Sequence, residues 1–124
     1  MRNFDSKTVL IVDDALTMRM RLKDILTKSG YDVIGEAENG VEAVERYREL
    51  RPSLVLMDIS MPDMDGISAV RAIKVLHPDA NIMMCTALGQ EAMVRESVQA
   101  GAKDFISKPI EEHELLEKVR NLIG

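Results

Sequence analysis

The chain has 124 residues, of which 46% are hydrophobic and 30% are charged, a composition typical of one globular domain and not of a disordered segment. Its formal net charge of −5 argues against direct binding to nucleic acid, because no basic excess is available to displace counterions from phosphates. No apolar run approaches the roughly 20 residues that a membrane-spanning helix needs, so we expect no membrane insertion.

The chain begins with the residues MRNFDSKTV, which carry no sign of export. They contain neither the apolar core of a signal peptide nor a lipidation motif. We therefore expect a cytoplasmic protein.

The first half of the chain predicts two strand–helix units. Residues 9–13 form a short apolar strand, and residues 16–29 repeat apolar side chains at helical spacing until Gly30 closes the helix. Residues 32–37, DVIGEA, predict a second strand, and Asn39 is expected to cap the helix that follows. The side chains expected to face inward from these two helices are Met18, Leu22, Ile25, Leu26, Val41, Val44 and either Tyr47 or the stem of Arg48.

The second half predicts three more units of the same kind. Its strands are residues 53–58, 81–85 and 104–107. The third helix is expected to bury Ile67, Val70, Ile73 and Leu76. The fourth is expected to span residues 90–100 and to end at Gly101, and the fifth to span residues 111–123 and bury Leu115, Leu116, Val119 and Leu122.

Strands that alternate with helices of about ten residues imply right-handed crossovers and a parallel sheet covered on both faces. The predicted fold is a single doubly wound, flavodoxin-like α/β domain with a five-stranded parallel sheet and five helices in three layers. The last helix runs to Gly124 and leaves no room for a second domain, so one domain is expected over residues 1–124. In such folds, ligands bind beyond the carboxyl ends of the strands.

Polar side chains stand at that edge of the predicted sheet. Asp13 and Asp14 follow the first strand, Asp58 closes the third, Thr86 follows the fourth and Lys108 follows the fifth. An aspartate at a strand end is often only a turn residue. Polar side chains at the ends of four different strands indicate instead a shared site.

The chemistry of these residues favours a cation and a phosphoryl group. Three converging carboxylates without a cation would raise at least one pKa strongly, and oxygen-only ligands suit Mg²⁺. Lys108 adds a positive charge and Thr86 a neutral hydroxyl. A carboxylate nucleophile, a metal ion, a lysine and a hydroxyl together would form a receptor for a phosphoryl group.

The remaining metal-ligating residues suggest no second site. Cys85 is the only cysteine, so an internal disulfide bond is impossible, and its position in the run IMMC predicts a small buried side chain. His77 and His113 have no second histidine at ligand spacing, which argues against a zinc site.

Four motifs give the chain a family resemblance: VDDA at 12–15, LMDISMPDMDG at 56–66, CTA at 85–87 and FISKP at 105–109. Together they resemble the response-regulator receiver domains of two-component signalling, over essentially the whole chain. The stretches MRMRLKDILTKSGY and ALGQEAMVRESVQAGAKDFI are similar, more narrowly, to stand-alone receivers of the chemotaxis type.

The resemblance implies roles for the acidic residues. Asp58 would be the phosphoacceptor, taking a phosphoryl group from the phosphohistidine of a sensor histidine kinase. Asp14, Asp58 and the backbone carbonyl of Ser60 would ligate Mg²⁺, and Asp13 would contribute through bound water. Ser60 and Leu88 occupy positions that tune dephosphorylation in the family.

The resemblance also implies a phosphoryl-dependent switch. Lys108 would hold the phosphoryl oxygens, Thr86 would bond to the new phosphate, and Phe105 would be the aromatic switch residue. Chemotaxis receivers often carry Tyr at the switch position. Phe105 has no hydroxyl, so it cannot adopt a switched state that depends on a hydrogen bond from that group. We expect the peptide bond between Lys108 and Pro109 to be cis, a form that costs little free energy only before proline.

The implied protein is a monomeric, phosphorylation-activated response regulator that changes its affinity for a downstream protein, such as a flagellar motor switch component. It would not be an enzyme, although it would assist its own phosphorylation and dephosphorylation. Two other classes stay open: a receiver fragment of a longer transcriptional regulator, and a phosphatase with a carboxylate nucleophile. Such phosphatases use a second acid two residues after the nucleophile, where this chain has Ser60. A flavodoxin-like cofactor carrier is disfavoured because the strand-end loops offer acids instead of aromatic residues.

Overall fold

The computed structural model describes residues 7–124, in which strands and helices alternate along the chain. The strands are β1 (Thr8–Val12), β2 (Asp32–Ala37), β3 (Leu54–Asp58), β4 (Ile82–Thr86) and β5 (Asp104–Ser107). The helices are α1 (Leu16–Lys28), α2 (Gly40–Leu50), α3 (Gly66–Leu76), α4 (Glu91–Ala100) and α5 (Glu112–Ile123). Within this range, no helix has the length and apolar character needed to cross a membrane. Most of the N-terminal stretch from which we expected no export signal, residues 1–6, lies outside the described residues.

The five strands form one parallel sheet in the order β2-β1-β3-β4-β5, which confirms the predicted doubly wound, flavodoxin-like fold. The register pairs Val12 with Met57, and Asp58 with Cys85. The carboxyl ends of β1, β3 and β4 are therefore level and adjacent. This alignment brings the polar residues that follow the strands to one edge of the sheet.

Side chains alternate between two hydrophobic layers, one on each face of the sheet. On one face, Leu10 and Val12 pack with residues of α2 and α3. On the other, Val9 and Ile11 pack with residues of α1 and α5. Every residue of the central strand β3 is buried. Each large aliphatic side chain in these layers stabilises the fold by about 1.5–3 kcal/mol, so the strands make a rigid platform for the site.

The helix ends follow the predicted signals closely. The side chain of Asn39 accepts a hydrogen bond from the backbone N–H of Glu42 at 2.9 Å and caps α2 as expected. Gly30, just beyond α1, has φ of 92°, a conformation that glycine adopts without strain. Gly101 ends α4 at φ of 120°, as predicted.

Two helix positions expected to face inward are in fact exposed: Val41 (47%) and Leu76 (58%). The buried face of α2 runs through Gly40, Ala43 and Tyr47, and Val41 is rotated about 100° from Gly40, away from the other two. Leu76 is the last residue of α3, and the buried position there is taken by the next residue, whose ring packs against Tyr47. Predicted strand ends also shift by one residue: β1 stops at Val12 and β4 extends to Thr86.

Gly66 begins α3 where the loop after β3 folds back on the strand. Its N–H donates to the carbonyl of Ile59 at 2.8 Å. A Cβ at this position would lie 2.2 Å from the backbone oxygen of Asp58, which is too close for any carbon atom.

We expect Gly66→Ala to lower the free energy of unfolding by about 1–3 kcal/mol, although alanine is the better helix former, because the backbone of Asp58 must move. Urea denaturation would measure this change. Ser68→Ala, at an exposed position of the same helix, should stay within about 0.5 kcal/mol of the parent. A Gly66→Ala variant as stable as the parent would contradict this packing.

Candidate functional site

Three carboxylates converge at the carboxyl edge of the sheet. Asp13 follows β1 directly, Asp58 is the last residue of β3, and one oxygen from each of Asp13, Asp14 and Asp58 lies within 4.8 Å of the others. Asp13 and Asp58 are buried, at 1% and 6% exposure, whereas Asp14 is exposed. The predicted meeting of these side chains is confirmed. The group can hold a metal ion, and its all-oxygen donors suit a hard divalent cation.

Lys108 faces the same carboxylates from the position directly after β5. Its Nζ lies 3.3 Å from Oδ2 of Asp13 and 3.3 Å from Oδ1 of Asp58. The backbone N–H of Lys108 donates to the carbonyl of Thr86 at 2.6 Å, and the Lys108–Pro109 bond is cis, as predicted. One half-buried ammonium thus pairs with two buried carboxylates.

The pKa values of the site residues reflect crowding of negative charge. Burial is the largest effect on Asp58 and raises the pKa of its carboxyl, and the charge of Asp13 raises it further. Lys108 opposes these effects only in part. For Lys108 itself, burial acts to lower the pKa, but Asp58 and Asp13 outweigh it, so the net shift is upward. One ammonium does not balance three carboxylates, so the site fits an added cation.

The backbone around Asp13 is held by Arg19, which the sequence analysis did not identify. The Nη1 of Arg19 donates to the carbonyl of Asp13 at 2.7 Å, and its Nε donates to Oε1 of Glu36 at 2.9 Å. A carboxylate oxygen of Asp13 also accepts from the N–H of Ala15 at 2.8 Å. Arg19 is buried and lies three residues before Leu22, on the buried face of α1. A charged residue at the helical spacing of the apolar side chains was the signal that could have identified it.

Thr86 and Phe105 line one pocket of about 180 Å³, together with Lys108. Thr86 ends β4 and is buried, whereas the ring of Phe105 is 40% exposed. The Nζ of Lys118 lies 5.5 Å from the centre of that ring. Phe105 is therefore not a core residue, and the pocket next to it offers its ring a place to move.

The loops after β3 and β4 are joined by Gln90, which was also missed. Its Nε2 donates to the hydroxyl of Ser60 at 2.8 Å, and its Oε1 accepts from the backbone N–H of Ala87 at 2.6 Å. The N–H that the side chain of Gln90 accepts from lies only three residues before it, and this short separation was the available signal. Leu88, in the same loop, is 96% exposed.

The single cysteine and the histidines play no part in this cluster. Cys85 pairs with Asp58 in the sheet register, and burial raises the pKa of its thiol to about 12, so it is the small buried side chain that we predicted. The ring of His77 packs 4.9 Å from that of Tyr47. Among residues 7–124, neither His77 nor His113 belongs to a group of metal-ligating side chains.

Comparison with known proteins identifies relatives that cover nearly the whole chain. The family model described as the response regulator receiver domain matches residues 9–120. The chain is 56% identical over 116 residues to the chemotaxis protein CheY of Thermotoga maritima, covering 94% of this chain and 97% of that protein. It is 54% identical over the same length to the CheY of Bacillus subtilis. A chain in the crystal structure of the CheX–CheY–BeF3–Mg²⁺ complex from Borrelia burgdorferi superposes with a TM-score of 0.89 at 36% identity, covering 94% of this chain and 89% of that one.

The raised pKa of Asp58 makes stability depend on pH in a defined direction. Because the folded protein binds the Asp58 proton more tightly than the unfolded chain, this group costs stability as pH rises from its ordinary value near 3.8 through its folded pKa. Asp58→Asn removes that loss. We expect the variant to have the higher free energy of unfolding at neutral pH, and the difference to shrink below about pH 4.

Urea denaturation across a pH series in metal-free buffer would measure this difference. Asp32→Asn removes an exposed carboxylate at the start of β2 and serves as the matched control, with little effect at any pH. Parallel pH profiles for Asp58→Asn and the parent would refute the charge crowding at Asp58.

Proposed function

The chain belongs to the response regulator receiver family, and we propose that it is a phosphorylation-activated switch whose phosphoacceptor is Asp58. The observation that carries this proposal is the pairing of a buried strand-end carboxylate with Lys108 at 3.3 Å, inside a group of three carboxylates. A nucleophile, a cation for the transferred group and a candidate metal site are thus within reach of one another.

The proposed reaction is a phosphoryl transfer from the phosphohistidine of a sensor kinase. A carboxylate oxygen of Asp58 attacks phosphorus, the new P–O bond forms, and the P–N bond to the imidazole breaks. The electron pair of that bond stays on the imidazole nitrogen. The ammonium of Lys108 balances the charge of the phosphoryl oxygens, a role that needs positioning more than covalent chemistry. The protein would thus be a phosphoacceptor that assists its own phosphorylation and dephosphorylation. It would not be an enzyme that acts on a separate substrate.

The cation that we propose for the site is Mg²⁺. Asp13, Asp14 and Asp58 would hold it, together with the backbone carbonyl of Ser60, and several of its water ligands would remain. When bound, Mg²⁺ neutralises the carboxylates and the incoming phosphoryl group, which otherwise repel each other. The upward pKa shift of Asp58 supports this choice, because the residues alone do not balance their own charge.

The relatives support a role in chemotaxis or motility. Two relatives with more than half of their residues identical to this chain are named chemotaxis protein CheY, and this chain covers 97% of the length of each. We therefore propose a stand-alone, monomeric cytoplasmic receiver over residues 1–124, with a histidine kinase as phosphodonor. Its downstream partner would be a protein such as a flagellar motor switch component.

The phosphatase alternative finds no support at the site. A carboxylate-nucleophile phosphatase needs a second acid two residues after the nucleophile, and Ser60 stands there with its hydroxyl bonded to Gln90. A receiver cut from a longer regulator would carry the same site, and the mass of the native gene product would distinguish it.

Thr86 and Phe105 are proposed to report the phosphoryl group to a partner. Thr86 would move toward the phosphate, and the ring of Phe105 would follow into the adjoining pocket. Phosphorylation can only shift an equilibrium by its differential stabilisation of one state, so both states should exist beforehand. The exposed ring of Phe105 would belong to the resting state.

We expect acetyl phosphate with Mg²⁺ to phosphorylate Asp58, and omission of Mg²⁺ to abolish the label. Borohydride trapping followed by mass spectrometry would locate the acyl phosphate. Asp14→Asn should reduce labelling by about tenfold or more, because it removes one proposed metal ligand. Asp63→Asn removes an exposed acid of the loop after β3; it is the matched control and should be labelled normally. Label that persists in Asp58→Asn would defeat the proposal.

We expect Thr86→Ala to uncouple phosphorylation from the movement of Phe105. The ring resonances of Phe105 should shift when beryllofluoride and Mg²⁺, which imitate the acyl phosphate, are added to the parent, but much less in Thr86→Ala. NMR of selectively labelled phenylalanine would follow the change. Unchanged Phe105 resonances in the parent would remove Phe105 from the switch and leave phosphorylation of Asp58 standing.

A further inference from the structure

Gln90 connects the two loops that border Asp58. Its Nε2 donates to the hydroxyl of Ser60, two residues after Asp58, at 2.8 Å. Its Oε1 accepts from the N–H of Ala87, the residue after Thr86, at 2.6 Å. The amide of Gln90 therefore ties the loop after β3 to the loop after β4.

Helix capping does not explain this arrangement. Gln90 occupies the N-cap position of α4, yet its side chain makes no hydrogen bond to that helix. The side chains at the same position of three other helices do cap, each accepting from the N–H three residues later; these are Asn39, Asp65 and Glu111. Gln90 instead points back toward the loops, and the first turn of α4 is left without a side-chain cap.

The two bonds restrain the part of the chain that the proposed switch must move. Ala87 shares a peptide unit with Thr86, so a shift of the Thr86 backbone toward Asp58 displaces the N–H that Gln90 holds. Gln90 also lines the pocket between Thr86 and Phe105. Movement of the backbone at Thr86 thus requires that Gln90 follow it or release a partner.

We propose that Gln90 is a positioning residue that holds the loop after β4 in its unphosphorylated arrangement, by bonding Ala87 and Ser60 together. The inference rests on the proposed phosphorylation of Asp58 and adds the restraint that opposes the switch. All the bonded groups are near solvent, where hydrogen bonds contribute little free energy. The restraint therefore shifts the equilibrium between the unphosphorylated and the switched arrangement of the loop by only about three- to tenfold.

The test is the affinity for beryllofluoride in saturating Mg²⁺, measured by isothermal titration calorimetry. Apparent affinity falls with the fraction of protein in the competent state, so Gln90→Ala should bind about three- to tenfold more tightly than the parent. Ser60→Ala keeps the backbone carbonyl, removes the bond between the loops, and should also bind more tightly. The double variant should match Gln90→Ala, because both changes break one connection. Gln99→Ala, at an exposed position of α4, is the matched control and should leave affinity unchanged.

The sign of the effect separates a restraint from general loop support. A side chain that merely keeps the loop ordered would weaken binding when removed, so unchanged or weaker binding by Gln90→Ala overturns the inference. If Gln90→Ala and Ser60→Ala change the affinity for beryllofluoride in a fully additive way, the two residues do not act through their shared hydrogen bond, and that part of the inference is overturned. In either case, binding by the parent would leave the proposed function intact. A parent that binds no beryllofluoride would instead overturn the proposed function and this inference with it.

Discussion

The surplus of negative charge at the carboxyl edge of the sheet is the constraint to which the rest of the site responds. Asp13 and Asp58 are buried, Asp14 stands beside them, and Lys108 supplies a single ammonium within 3.3 Å of the two buried carboxylates. The fold tolerates this imbalance because the strands beneath are packed on both faces. The negative charge of the carboxylates suits the binding of a cation. The donors beside them, Lys108 and Thr86, suit a phosphoryl group.

Maintaining that crowding requires supports on every side of the cluster. Gly66 lets the loop after β3 lie against the backbone of Asp58, and Arg19 secures the carbonyl of Asp13 from α1. Lys108 is anchored through its own backbone to Thr86. The residues that carry the charge therefore stand on strands or next to them, and the residues that fix their direction come from the loops and helices around them.

The sequence was most informative where the geometry of a parallel sheet decides the outcome. Asp13, Asp58 and Lys108 had to meet because their strands end at the same edge, and periodicity located those strands to within a residue. Val41 and Leu76 were misjudged because side chains at helix ends depend on what packs beside them, and periodicity does not report that. Arg19 and Gln90 were missed for a related reason. Each of them has one partner close in sequence and one farther along the chain. The farther partners, Glu36 and Ser60, come within hydrogen-bonding distance only once the fold has formed.

Cys85 extends the chemistry of the site in a different direction. It is the only cysteine, and it lies buried beside the proposed phosphoacceptor with a pKa of about 12. Oxidants and electrophiles attack the thiolate, and such a thiol is almost entirely protonated at neutral pH and sealed from solvent. The thiol next to Asp58 therefore neither competes for electrophilic phosphorus nor oxidises readily. The proposed phosphorylation of Asp58 would in this respect be insulated from the redox state of its surroundings.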